Sequence, residues 1–439
     1  MNENQKRLLL IGGGILIVVI VGIVLFSLAG GKKDNNTQQT KTTLVYWGLW
    51  EPDSAMQSLI DKYEKQNTNV EIQYVQKPFT QYEANLYTRI QQNTIDNTPI
   101  PDIVRVNNAW RSKFESLLAP MPDSVMSAAT YSSTFYPTAL KDFTGSDGYI
   151  YAVPLEIDGL TLFYNKKLFN SAGYSEAPTD WDAFIEYAKK MTKKDTNGVI
   201  TQAGAALGTS KNIKHSADIL NLLFLQNAVD IISADGKTVT LSSTRAQSAL
   251  DFYTAFTTEH QTWSTDLATD LETFYSGKLA MMLAPSWRAF DIINSAPNIE
   301  FGLAPVPQLP GNDPVNYAMY WGEAVPKTSP NQAEAWKFIK FLSEPEQMKE
   351  MFSNSSQVRA FGEPYSRKDL ASEMGSNPYV NPILKMASTM KAWQMGEQGY
   401  VEESLRTAIN DVIASDTPSD QALREAEERI NLKLQEVLK

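Results

Sequence analysis

Residues 148–169 read GYIYAVPLEIDGLTLFYNKKLF, and the reading of this stretch decides the fold. Residues 149–153 form a short apolar run that predicts a strand, stopped by Pro154, which has no N–H to give to a central ladder. A gap carrying Glu156, Asp158 and Gly159 follows. Residues 160–164 are apolar at nearly every position, as in a strand buried on both faces, and Asn165 is placed to cap a helix. No Asn-Gly or Asp-Gly turn joins the two runs, so a hairpin is not expected. The stretch reads as chain passing from one domain into another, with two carboxylates where a cleft would open. Acceptors placed there suit a ligand rich in hydroxyl groups.

Upstream, residues 44–47 predict a strand, 52–66 a helix with Met56, Leu59, Ile60 and Tyr63 on one side, 70–75 a strand, 82–92 a helix, and 102–106 (DIVRV) a strand leading into a helix over 110–118. Strands alternating with helices predict a parallel sheet covered on both faces. Ligands of such sheets sit beyond the carboxyl ends of the strands, which selects Trp50, Glu51, Asn107, Asn108 and Trp110. Downstream, helices are expected over 181–191, 217–226 and 243–259. Residues 193–201 predict a turn into a strand, their calcium-loop pattern lacking its closing Glu, and 235–236 a turn. Residues 271–287 predict a short helix, a glycine stop and a strand (279–284) ending at Pro285, Ser286 and Trp287. Residues 299–306 give a strand and second crossing, 317–325 a return to the first domain, 332–342 a helix, and 343–348 a third crossing. Helices over 381–394, 397–415 and 419–438 complete the second domain.

G-x-x-Y-A-V-P followed by L-x-F-Y-N-K-x-L-F resembles the extracellular solute-binding proteins of ABC importers, in the maltose- and oligosaccharide-binding family that carries sugars. The F-x-x-G-K-x-A-M pattern at 274–281 fits the same family, and the resemblance runs from about Thr43 to the C-terminus. It implies a two-lobed α/β fold of the type II periplasmic-binding-protein kind, hinged between lobes, with lobe 1 at 43–157 and 304–345 and lobe 2 at 158–303 and 346–439. It implies that Asp158, four residues after the motif proline, bonds sugar and that Trp287 lies on or beside the stacking aromatic. It also implies delivery to a membrane permease. The loop at 362–367 only approximates the family pattern.

Residues 8–29 contain no charge and are long enough to span a bilayer, with 1–7 expected in the cytoplasm behind Lys6 and Arg7 and 30–42 as a flexible spacer. A cleaved signal ending at Ser27-Leu28-Ala29 is the alternative; the length of the run favours a retained anchor, and the binding domain is then extracellular. The chain has no cysteine, which excludes disulfides and thiol chemistry and departs from the lipid-tethered members of the family. Of the net charge of -11, the first 41 residues contribute +3, so the exported part is acidic, which argues against nucleic acid as a partner. About 400 exported residues predict two domains, and a monomer is expected.

A sugar presents a flat apolar face and a rim of hydroxyls, so its site needs aromatic planes and hydrogen-bonding side chains. Trp50, Trp110, Trp287, Trp321 and Trp393 are the candidate planes; Glu51, Asn107, Asn108, Glu156, Asp158, Arg288 and Glu323 are the candidate partners. Each has a plainer alternative: core packing for the indoles, turn roles for the asparagines, and for Arg288 and Glu323 an ion pair latching the cleft. Trp181 and Trp336, inside amphipathic helices, read as core. Paired carboxylates among aromatics also suit a glycosidase, but His215 and His260, read within helices, lack metal-spaced neighbours and no nucleophile motif is present, so no enzyme, cofactor or metal is expected. A peptide, a polyamine or a sensing role without transport are the other readings of the same fold.

Overall fold

The computed structural model describes residues 41–91, 100–233 and 236–437. In chain order its strands are β1 (Thr42–Gly48), β2 (Val70–Gln76), β3 (Ile103–Asn107), β4 (Leu160–Asn165), β5 (Lys193–Lys194), β6 (Ile200–Ala206), β7 (Leu279–Pro285), β8 (Phe301–Ala304), β9 (Asn316–Tyr317), β10 (Trp321–Ala324) and β11 (Met390–Lys391). Two sheets define two α/β lobes. The first runs β2-β1-β3-β10, parallel except for β10. The second runs β5-β6-β7-β4-β8, with β4 antiparallel to both neighbours. All seven residues of β7 are buried, which requires cover on both faces. Helices supply it with one apolar face each, as Asp53–Gln66 does with Ala55, Met56, Leu59, Ile60 and Tyr63. Trp181 and Trp336 are buried, as core residues should be.

The deciding stretch does pass from the first sheet to β4, but 149–153 is not a strand. Val153 exchanges two hydrogen bonds with Glu323 (2.9 and 2.8 Å) and the ladder ends there, because Pro154 has no N–H with which to extend it. Single pairings follow: Glu156 with Tyr365 and Gly159 with Ala318. Three separate segments therefore meet at the crossing.

Two further expectations are corrected. The helix Pro345–Val358 stays with the first sheet, on the helix Asp53–Gln66, through Ser58 Oγ to Glu350 (2.6 Å) and Asn354 Nδ2 to the Ala55 carbonyl (3.0 Å). Pro345 opens a new helix rather than a linker, and the chain passes the crossing at 359–367, where Ile157 N donates to Pro364 O (2.9 Å). Residues 381–394 are helical only over Asn381–Met386 and a short 3₁₀ turn, Ala387–Thr389; β11 then pairs with β9, and its ladder replaces helical bonds. His215 precedes its helix and His260 follows one. At 193–201 the Asp195 carboxylate accepts from Asn197 N and Val199 N (2.8 and 2.9 Å) around Gly198 at φ 82°, a plain Asn-Gly turn.

The expected anchor (8–29), the residues before it, the spacer up to residue 40, and Asp235 of the expected turn lie outside the described residues. Among the described residues no helix is long and apolar enough to cross a membrane.

Candidate functional site

Strand β3 carries a charged side chain into the interior. Arg105 is 2% exposed and faces Glu323 across the β3–β10 register. Its Nε donates to Glu323 Oε1 (2.7 Å), its Nη1 to Glu51 Oε2 (3.0 Å), and its Nη2 lies 3.7 Å from Glu156 Oε2. Glu363, from the third segment at the crossing, brings a carboxylate oxygen within 4.8 Å of oxygens of Glu51 and Glu156 and pairs with Arg359 (2.8 Å). Four glutamates thus converge on two guanidinium groups. Glu51, Glu156 and Glu363 are close enough to share a cation, but Arg105 already supplies the positive charge there. Burial pushes the Glu156, Glu323 and Glu363 carboxyls up, opposed by Arg105 and Arg359. Sequence reasoning selects Glu51, Glu156 and Glu323 and misses Arg105, Arg359 and Glu363. The signal is present nonetheless: within DIVRV, Arg105 stands between apolar residues inside the strand, and buried charges are paired.

Asp158 ties the crossing to the end of β7. Its Oδ2 accepts from Ser286 Oγ (2.6 Å) and its Oδ1 from Gly159 N (2.6 Å). Burial, only partly offset by these bonds, pushes its carboxyl up to about 8. A folded-state value above the unfolded one means that the native chain holds the proton more tightly, so this group's contribution is fully present below about pH 4 and is lost as pH rises toward 8. Asp158→Asn is expected to flatten that slope: urea midpoints of wild type and variant should diverge between pH 4 and 8 in the variant's favour. Parallel pH profiles would show that Asp158 ionises freely.

The aromatic candidates divide. Trp321 packs against Trp110 (4.9 Å between centroids), Trp50 (5.7 Å), Phe79 and Tyr82. Trp110 and Trp321 are buried in this cluster, whereas Trp50 is half-buried and Phe79 exposed at its rim. Trp110 Nε1 donates to Gln398 Oε1 (2.7 Å), and Lys113 pairs with Glu397 (2.9 Å). Gln398 in turn donates to Glu402 (2.8 Å), whose carboxyl is raised to about 7 by burial and by Asp218.

Trp287 is half-buried just past β7. Arg288 and Glu323 do not form the ion pair that is the alternative to their contacting ligand. Glu323 is held by Arg105, while Arg288 donates to Asp291 (2.8 Å) and to His215 Nε2 (3.3 Å). Trp393 is buried with Nε1 on Asn221 Oδ1 (3.0 Å), and Asn108 is buried on Asp142 and Tyr320 N; both side chains already have partners within the fold. Asn107 shapes its turn by accepting from Ala109 N (3.0 Å).

Several buried polar atoms at the site find no hydrogen-bond partner among the described residues. Glu51 Oε1 lies on the Arg105 side; Ser216 Oγ and Asp218 Oδ1 belong to the helix Ser216–Gln226. Each such group costs about 1–3 kcal/mol unless a partner arrives.

Three similarities bear on this geometry. A binding protein of Brucella abortus (strain 2308) is 26% identical over 202 residues, 45% of this chain and 47% of that protein. A maltooligosaccharide ABC transporter solute-binding lipoprotein of Streptococcus pneumoniae (strain ATCC BAA-255 / R6) is 24% identical over 231 residues, 49% and 50% of the two chains. The chain thus spans about half the length of these curated relatives. The solved structure of a cyclic α-maltosyl-1,6-maltose binding protein from Arthrobacter globiformis superposes with a TM-score of 0.74 at 19% identity, covering 90% of this chain and 100% of the other, which establishes the shared two-lobed fold. Residues 47–349 match the sequence profile of bacterial extracellular solute-binding proteins, and the chain belongs to that family.

Proposed function

We propose that this protein captures a sugar or oligosaccharide between its two lobes and delivers it to the permease of an ABC importer, tethered outside the cell by the segment at 8–29. Lobe 1 comprises 43–157 and 304–345, continued to residue 358 by the helix packed on it; the remainder is lobe 2. The observation that carries the reading is the pair of buried carboxylate oxygens, Glu51 Oε1 and Asp218 Oδ1, that find no hydrogen-bond partner among the described residues, together with the half-buried indoles of Trp50, next to Glu51 in the chain, and Trp287. Acceptors of this kind match hydroxyl donors, and indoles match the apolar face of a pyranose. The similarity to a maltooligosaccharide-binding lipoprotein supports the same ligand class. The excess of carboxylates around Arg105 and Arg359 favours a polyamine as the second reading.

Ligand that binds only the folded chain raises its melting temperature by mass action. The full chain in detergent is expected to gain several degrees with at least one oligosaccharide of a panel (maltotriose, raffinose, mannobiose) and nothing with short peptides or spermidine; the reverse pattern would reassign the ligand. Trp287→Ala is expected to weaken saccharide binding at least tenfold, about 1.4 kcal/mol, with the ligand-free melt unchanged. Unaltered affinity would take Trp287 out of the site, and a collapsed melt would make it core.

A further inference from the structure

A pocket of about 410 Å³ opens in the second lobe between the segment that precedes the helix Ser216–Gln226, the start of the helix Asp270–Tyr275, and Arg288 and Arg406. Its size falls in the range of small-molecule sites, about 300–1,000 Å³. Its charge is opposite to that of the chain as a whole: Lys211, Lys214, Arg288 and Arg406 line it against the single carboxylate of Asp270, in a protein of net charge -11. Asp270 is already engaged, buried and accepting from Lys214 N (3.2 Å) and Leu271 N (2.9 Å). Arg288 is held by Asp291 (2.8 Å) and His215 (3.3 Å), and Arg406 by Glu402 (3.0 Å) and Glu403 (3.7 Å), which fixes the two guanidinium groups in place. Lys211 and Lys214 are exposed at the mouth. Fixed guanidinium donors with flexible ammonium groups around them suit carboxylate or phosphate oxygens, and a concave basic site in an acidic surface focuses anions locally. Arg288, which lines the pocket, directly follows Trp287 in the chain, which links the pocket to the position proposed for sugar stacking.

We infer that the ligand is an anionic saccharide, bearing a carboxylate or phosphate that is taken by Lys211, Lys214, Arg288 and Arg406 while its sugar ring lies toward Trp287. This rests on the saccharide-binding reading and narrows it to charged sugars. Exposed Lys211 and Lys214 can be changed without disturbing packing.

The test is calorimetric titration of the full chain in detergent with uronate trisaccharides (galacturonate, mannuronate and guluronate series), each against its fully methyl-esterified form. Glucose 1-phosphate against glucose forms the phosphate arm, and maltotriose and raffinose serve as neutral saccharides. At least one acidic probe is expected to bind ten-fold or more tighter than its neutral counterpart. The Lys211→Ala/Lys214→Ala variant is expected to lose most of that difference with an unchanged melting temperature, and added salt to shrink it. The arm that responds identifies the source of the anion. Esters binding as well as acids, neutral saccharides alone binding, or a double variant that keeps the preference would overturn the inference and leave saccharide binding standing. Failure of every saccharide, charged or neutral, would overturn both.

Discussion

Replacing Arg105 with methionine is expected to cost about 3–5 kcal/mol of stability, the range for removing one partner of a buried ion pair. The side chain is similar in volume, so the loss is electrostatic: Glu51, Glu156 and Glu323 keep their places around the vacated guanidinium, and burial already pushes Glu156 and Glu323 up with Arg105 opposing it. Without Arg105 both rise further. Because their folded-state values exceed the unfolded ones, the fold is favoured while they are protonated and loses that support as pH rises. The variant's deficit in urea unfolding is therefore expected to be smaller at pH 5 than at pH 8. A deficit below about 1 kcal/mol, the scale of exposed pairs, or one that grows on acidification, would contradict the assignment of Arg105 as the charge that holds the acidic floor.

Gly159→Ala is expected to be the next most damaging. A Cβ there would stand 2.1 Å from Tyr317 O and 3.1 Å from Met390 Cε. The first obstacle is backbone, held on both sides: Met319 N donates to Asp158 O (2.8 Å) and Ala318 N to Lys391 O (3.0 Å). Relief requires the crossing segment and β9 to separate. Overpacking of about 1–3 kcal/mol plus about 1 kcal/mol for a lost hydrogen bond predicts a destabilisation near 3 kcal/mol, with saccharide affinity reduced as the hinge is displaced. A variant with the wild-type urea midpoint would mean that the crossing is looser than these contacts require.

The crossing at Pro154 to Leu160 is legible in the sequence because local chemistry decides it: a proline that cannot continue a ladder, a glycine, then a strand apolar on both faces. Asp158 is singled out by the resemblance, as the acid four residues after that proline. The Arg105 cluster is not, because its members are far apart in the chain, 54 residues from Arg105 to Glu51 and 218 to Glu323. Only folding shows that three candidate ligand carboxylates share one guanidinium. Trp110 and Trp321 look like strand-end platforms in the sequence, yet each other's rings are their nearest flat surfaces. Residues 381–394 carry helical spacing throughout, and only the long-range pairing of β11 with β9 ends the helix early. The packing of the helix Pro345–Val358 is hidden for a similar reason: its partner surface, the helix Asp53–Gln66, lies almost 300 residues upstream (Asn354 to Ala55, 299).

The central claim is that two lobes close on a saccharide about this crossing. The absence of cysteine allows paired spin labels at Tyr149→Cys and Tyr400→Cys, both exposed (58% and 42%) and proposed to lie in different lobes. Pulsed electron resonance on the doubly labelled full chain should give a distance distribution that narrows and shifts when a saccharide identified by thermal shift is added, and that returns when it is dialysed away. The same distribution with and without a saccharide that demonstrably binds would contradict closure, and with it capture of the ligand between the lobes.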